Sequence, residues 1–112
     1  MDMKFRSFQH NFHDGHLARL TLGPRRELTL DIALDPVWNK GAPASVSVRF
    51  GGIENYDEVA SFFRALPPPP RPDAYIAEVI GLEYVGDGPN WVVVDLAGHG
   101  HIRVHSHHVT KS

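Results

Sequence analysis

No cysteine occurs in the 112 residues, so disulfides and thiolate metal ligands are excluded and the fold must be held by packing alone. That composition fits a reducing compartment. Long apolar runs are also lacking: no stretch approaches the ~20 residues of a spanning helix, and the opening MDMKFRSFQHNF has no apolar signal core. A cytoplasmic location is therefore expected, with no membrane contact. Nor is there an excess of basic charge. Lys and Arg number 11 against 13 Asp and Glu, for a net charge of -2, which leaves no electrostatic footprint for nucleic acid or anionic lipid. Finally, the chain has no Gly-x-Ser-x-Gly elbow, no phosphate-binding glycine loop ahead of a helix and no cysteine nucleophile. Catalysis is not the expected role.

What is present is a strongly patterned chain, 42% hydrophobic and 21% charged, of a length that suits one α+β domain. Its clearest signal lies between Asn11 and Leu34. Leu28, Leu30, Ile32 and Leu34 alternate with Glu27, Thr29, Asp31 and Ala33, the period of a strand with one wet face. Ala18, Leu20 and Leu22 form a second apolar row upstream, and Gly23-Pro24-Arg25-Arg26 supplies a reversal. A β-hairpin follows. Ser45 to Phe50 is a further strand, because Val46, Val48 and Phe50 alternate with Ser45, Ser47 and Arg49 until Gly51-Gly52 breaks the pattern. Lys4 to Phe8 is a possible short strand.

The period then changes to that of a helix. Val59, Phe62, Phe63 and Leu66 form one stripe, Asn55 and Glu58 have the spacing of a capping box, and Pro67 ends the helix. Pro67 to Pro72 predicts a polyproline II strut, roughly 19 Å long at ~3.1 Å per residue. Its bland role is a spacer, and its sharper one a ligand for an aromatic-grooved module. Beyond it, Ala74 to Val85, Trp91 to Leu96 and His101 to Val109 read as a three-stranded meander. The expected architecture is one curved, mainly antiparallel sheet of about six strands with the Asn55 to Leu66 helix packed against it.

Two polar constellations draw on the eight histidines. His99, His101, His105 and His107 lie in and just before the last strand, where i, i+2 side chains share a face about 6.5 Å apart. Two imidazoles so placed can converge on zinc or another divalent transition metal, although the spacing provides no neighbouring carboxylate as a further ligand. The plainer reading is a solvent-facing strand and no cofactor. His13, Asp14 and His16 precede the hairpin and are candidate binding residues. Their plainer reading is a turn in which the Asp14 carboxylate accepts backbone N–H groups and Gly15 takes positive φ. Trp38, in the Asp35 to Pro43 loop, is either a core aromatic folded back or an exposed contact residue.

Phe12-His13-Asp14-Gly15-His16-Leu17, followed by two alternating strands and Val46-Ser47-Val48-Arg49-Phe50-Gly51-Gly52-Ile53, resembles small bacterial proteins, among them immunity proteins of polymorphic toxin systems of the immunity protein 50 type. The likeness spans roughly residues 10 to 63 and transfers only to His13 and Asp14. It implies a compact α+β protein that binds a partner, a toxin in the immunity case, without an established catalytic residue. A non-catalytic interaction protein is thus the leading expectation. The rivals are a histidine-based metal protein or metal-dependent enzyme, and a small-ligand domain using Trp38, Tyr75, Tyr84 and Trp91 inside the curve of the sheet.

Overall fold

The computed structural model describes residues 12–37, 39–41, 44–71, 74–85 and 91–111. The expected Lys4 to Phe8 strand and Trp38 lie outside them. Among the described residues the elements are β1 Gly15–Gly23, β2 Glu27–Ala33, β3 Ser45–Ile53, α1 Tyr56–Arg64, β4 Ala77–Tyr84, β5 Trp91–Leu96 and β6 Gly100–Lys111. All strand pairs are antiparallel. The expected curved sheet is there, and its curvature goes as far as closure: the strands run β1-β2-β3-β6-β5-β4 around a barrel.

Alternation explains the barrel. On β2 and β3, Leu28, Leu30 and Ile32 stand opposite Phe50, Val48 and Val46, and all six are buried. On β5 and β6, Val92 and Val94 stand opposite Val104 and Ile102, again buried. The inner residues of every strand therefore join one cluster, to which α1 adds Val59 and Phe63. Each such side chain contributes ~1.5 to 3 kcal/mol by leaving water, while Thr29, Asp31 and Ser47 keep the other face polar. On that face the Ser47 hydroxyl donates to the Asp31 carboxylate.

Three departures from strict alternation shape the barrel. A register shift between Leu17 and Arg19 lets Leu17 point inward, leaves Ala18 exposed and returns Leu20 and Leu22 to the inner side half-buried. Ala18 therefore does not belong to the apolar row that its spacing suggests. Gly51-Gly52 does not end β3 either. The strand continues to Ile53 because Gly52 takes φ 63°, which switches the inward positions from Phe50 to Ile53; a Cβ at Gly52 would sit 3.0 Å from His107 Cδ2. The third departure is a shift between Val79 and Gly81 on β4, which adds Ile80 as an extra residue on the outside. Beyond these, the hairpin reversal places its positive φ, 56°, on Arg26.

Helix α1 begins after Asn55, as expected, but not by a capping box. Asn55 makes no side-chain cap bond. Its amide instead donates to the Arg103 carbonyl (2.7 Å) and to Glu58 (2.9 Å), and its oxygen accepts the His105 N–H at 2.9 Å. Alongside Glu54 N–H to His105 O at 2.7 Å, the side chain continues the β3–β6 ladder for one more step. The helix is thereby tied to β6 rather than closed on itself. It is also shorter than its stripe predicts: Arg64 is its last residue and Ala65 its C-cap, although Leu66 still packs against the core.

Ser106 is the one buried polar residue among those described, at 1% exposure, and its hydroxyl has no hydrogen-bond partner there. These placements predict contrasting stabilities. Leu30→Ala should cost ~2 to 5 kcal/mol and Thr29→Ala less than half as much. Ser106→Ala should be neutral or stabilising, since it removes an unsatisfied hydroxyl. Urea midpoints of the three variants check this; equal losses at positions 29 and 30 would contradict the one-sided sheet.

Candidate functional site

The outer surface of β4, β5 and β6 gathers three of the candidate histidines, His101, His105 and His107, together with Trp91, because the strands hold their odd and even positions on opposite sides. On β6 the expected face is realised. Ile102 and Val104 point inward, His101, Arg103 and His107 are exposed, and His105 is half-buried on the same outer side.

Across this surface the registers define rows. His105 pairs with Trp91, Arg103 with Val93 and His101 with Asp95; continuing onto β4, Val93 pairs with Glu83 and Asp95 with Gly81. Trp91 and His105 stack face to face, with ring centroids 4.4 Å apart and planes inclined by 10°. The stack fixes an indole that is still 37% exposed. Arg103 lies on the next row, across Val93 from Glu83.

The remaining histidines take separate partners. His107 Nε2 bonds to the Glu54 carboxylate, with His108 beside it at 6.5 Å between ring centroids. His99 sits in the β5–β6 turn, its N–H donating to the Leu96 carbonyl at 3.1 Å. The strand thus presents His101, His105 and His107 on one face, as its spacing predicts, but pairs them with Asp95 in register, Trp91 and Glu54 respectively. Among the described residues no three His, Asp or Glu side chains come together as a metal-binding group.

His13, Asp14 and His16 occupy the seam where the barrel closes. There Gly15, His16 and Leu17 pair with Val79, Glu78 and Ala77, a shorter ladder than β1 makes with β2. His13 donates from Nδ1 to the Ile80 carbonyl at 3.3 Å, so its ring reaches the bulge on β4, and its Nε2 lies 3.5 Å from the Asp14 carboxylate. His16 stacks on Tyr75 with centroids 4.6 Å apart.

A turn is present at the expected place, closed by the Gly15 N–H donating to the Phe12 carbonyl at 2.9 Å, but the positive φ falls on a different residue. Asp14, not Gly15, takes positive φ, at 62°. Gly15 is required for a different reason, close approach: a Cβ there would lie 2.9 Å from the Phe12 carbonyl oxygen and 3.0 Å from that of Ala33.

One exposed residue of this surface has no signal in the sequence pattern. Ile80 points outward only because of the bulge, which no spacing announces. Trp91 was considered as a ligand aromatic inside the sheet, yet its alternation with Val92, Val94 and Leu96 already placed it with Asp95 on the wet side. Tyr75 is likewise outside, at 47% exposure. In comparisons with known proteins, no family model matched the chain, and neither curated proteins nor solved structures gave a match.

The φ of Asp14 generates a test that separates backbone from carboxylate. Left-handed backbone costs an ordinary L-residue about 1 kcal/mol or more and glycine almost nothing, with Asn intermediate. Asp14→Gly and Asp14→Asn should therefore keep most of the stability that Asp14→Ala loses. Thermal and urea unfolding would measure the series, and an Asp14→Gly loss as large as that of Asp14→Ala would assign the role to the carboxylate.

Proposed function

We propose that this chain is a non-catalytic interaction protein of the immunity kind that its Phe12 to Leu17 stretch resembles, binding a partner protein through the outer surface of β4, β5 and β6. The observation that carries the reading is the exposed Trp91 stacked on His105. Tryptophan is among the residue types enriched at the hot spots of protein interfaces, where an apolar centre is ringed by polar groups. Seated on a strand and clamped by a ring, it loses little conformational freedom on binding.

The barrel interior supports an external site as well. Most of its inward residues are packed at close to zero exposure; of the described aromatics considered for an internal ligand, Tyr75 and Trp91 lie on the outer side, while Tyr84 packs against the core as part of its filling. His13 and Asp14, the residues to which the resemblance extends, belong in this reading to the frame that shapes the site: they brace the seam beside β4.

Co-expression of the full chain with the protein encoded next to its gene tests the proposal. The expected result is a stable complex and relief of that protein's toxicity. Trp91→Ala should weaken the complex by ~2 kcal/mol or more while leaving the unfolding midpoint nearly unchanged. A complex indifferent to Trp91→Ala would move the interface elsewhere, and no complex at all would remove the immunity reading.

A further inference from the structure

The same surface carries a second pattern that concerns the chemistry of what docks there. Of the four large apolar side chains exposed among the described residues, Val37 lies in the loop after β2, and the other three, Tyr75, Ile80 and Trp91, flank or belong to β4. Tyr75 lies just before the strand, Ile80 is its bulged residue, and Trp91 accepts a backbone hydrogen bond from Val85 at the strand's far end (3.1 Å). They are spread along roughly 30 Å at ~3.3 Å per residue, a dimension that suits a standard protein interface.

Carboxylates are interleaved with these anchors. β4 contributes exposed Glu78 and Glu83, and β5 contributes half-buried Asp95. Neither strand contains a lysine or arginine. Arg103 of β6, across Val93 from Glu83, is the cation that shares their rows. Elsewhere Arg25 and Arg26 are in the β1–β2 turn, Arg49 on β3 is engaged by Glu27 at 3.1 Å, Arg19 on β1 stands opposite Asp31, and Arg71 precedes Tyr75 in the chain. A nearly neutral chain thus presents one face whose charge is mostly negative and whose apolar residues are exposed.

We infer that the partner of this face is a protein segment with a basic surface, pairing Lys or Arg with Glu78, Glu83 and Asp95 while seating apolar side chains against Tyr75, Ile80 and Trp91. The inference rests on the reading that β4, β5 and β6 form a protein-binding surface, and adds the sign of the partner's charge. Complementary charge fixes orientation and speeds encounter, and the apolar anchors hold the complex.

The test uses the full chain, labelled with 15N, and three synthetic ten-residue peptides that share alternating Tyr and Ile but carry Lys, Gln or Glu between them. The Lys peptide should shift the Trp91 indole and the amides of Glu78, Ile80, Glu83 and Val93. It should bind about tenfold more tightly than the Gln peptide, and this preference should fade with added salt. Glu78→Gln with Glu83→Gln should erase the preference, and Asp57→Asn, a carboxylate on α1, should leave it intact. Equal binding of all three peptides at Trp91 and Ile80, or a preference for Glu, would overturn the inference and leave the binding surface standing. Shifts confined to other parts of a folded chain would overturn both.

Discussion

The structure depends on keeping one apolar sheet face dry. Six strands with Val, Leu, Ile and Phe at alternate positions cannot leave that face in water, and a single nine-residue helix is too small to cover it. Closure solves the problem geometrically. When β1 meets β4, the inner residues of all six strands cover one another, and no second layer is needed. The helix then has a smaller task, adding Val59, Ala60 and Phe63 to the buried set beside β6.

Closure in turn demands places where strands bend or change face, and these are where the chain departs from simple alternation. The shift after Leu17, the positive φ at Gly52 and the extra residue at Ile80 each change which side chain points inward. Two of the three adjoin the β1–β4 seam, where the ladder is short and His13 reaches across to the Ile80 carbonyl. The bulge that serves the barrel also places an isoleucine on its outside. Architecture and surface are therefore linked: the same irregularity that curves β4 gives its outer side an exposed isoleucine.

This explains which features were legible in the sequence. Period-two patterning in β2, β3, β5 and β6 and the helical stripe of α1 are local signals, and the strands, helix and meander follow from them. The outward set His101, Arg103, His105 and His107 follows from the same parity. Bulges are not local in this sense, because their positions answer to the partner strand, so Ala18 and Ile80 were placed only by the three-dimensional pairing. Asn55 is similar. Its spacing from Glu58 is that of a capping box, but the competing acceptor and donor on β6 lie some fifty residues away in sequence and claim its amide. The seam turn shows a finer limit: Asp-Gly announces a positive φ nearby without saying which residue takes it, and the turn that the Gly15 N–H closes onto the Phe12 carbonyl puts it on Asp14, its third residue.

A filled barrel has consequences for the kind of recognition available to it. Its interior side chains are committed to stability, since removing one costs transfer energy and leaves a cavity, so specificity is most readily written on the outer positions, where substitutions cost the fold little. On β4, β5 and β6 those positions carry an indole held flat by an imidazole, an exposed isoleucine and several carboxylates, all mounted on strands that the core holds rigid. A rigid, partly apolar surface loses less entropy on association than a loop would. Histidine suits such a surface for reasons other than metal binding: the ring at position 105 is planar enough to stack on Trp91 and that at 107 polar enough to engage Glu54. Each is thereby oriented by a different neighbour, so the histidine strand presents side chains held in pairs with residues of other strands and loops.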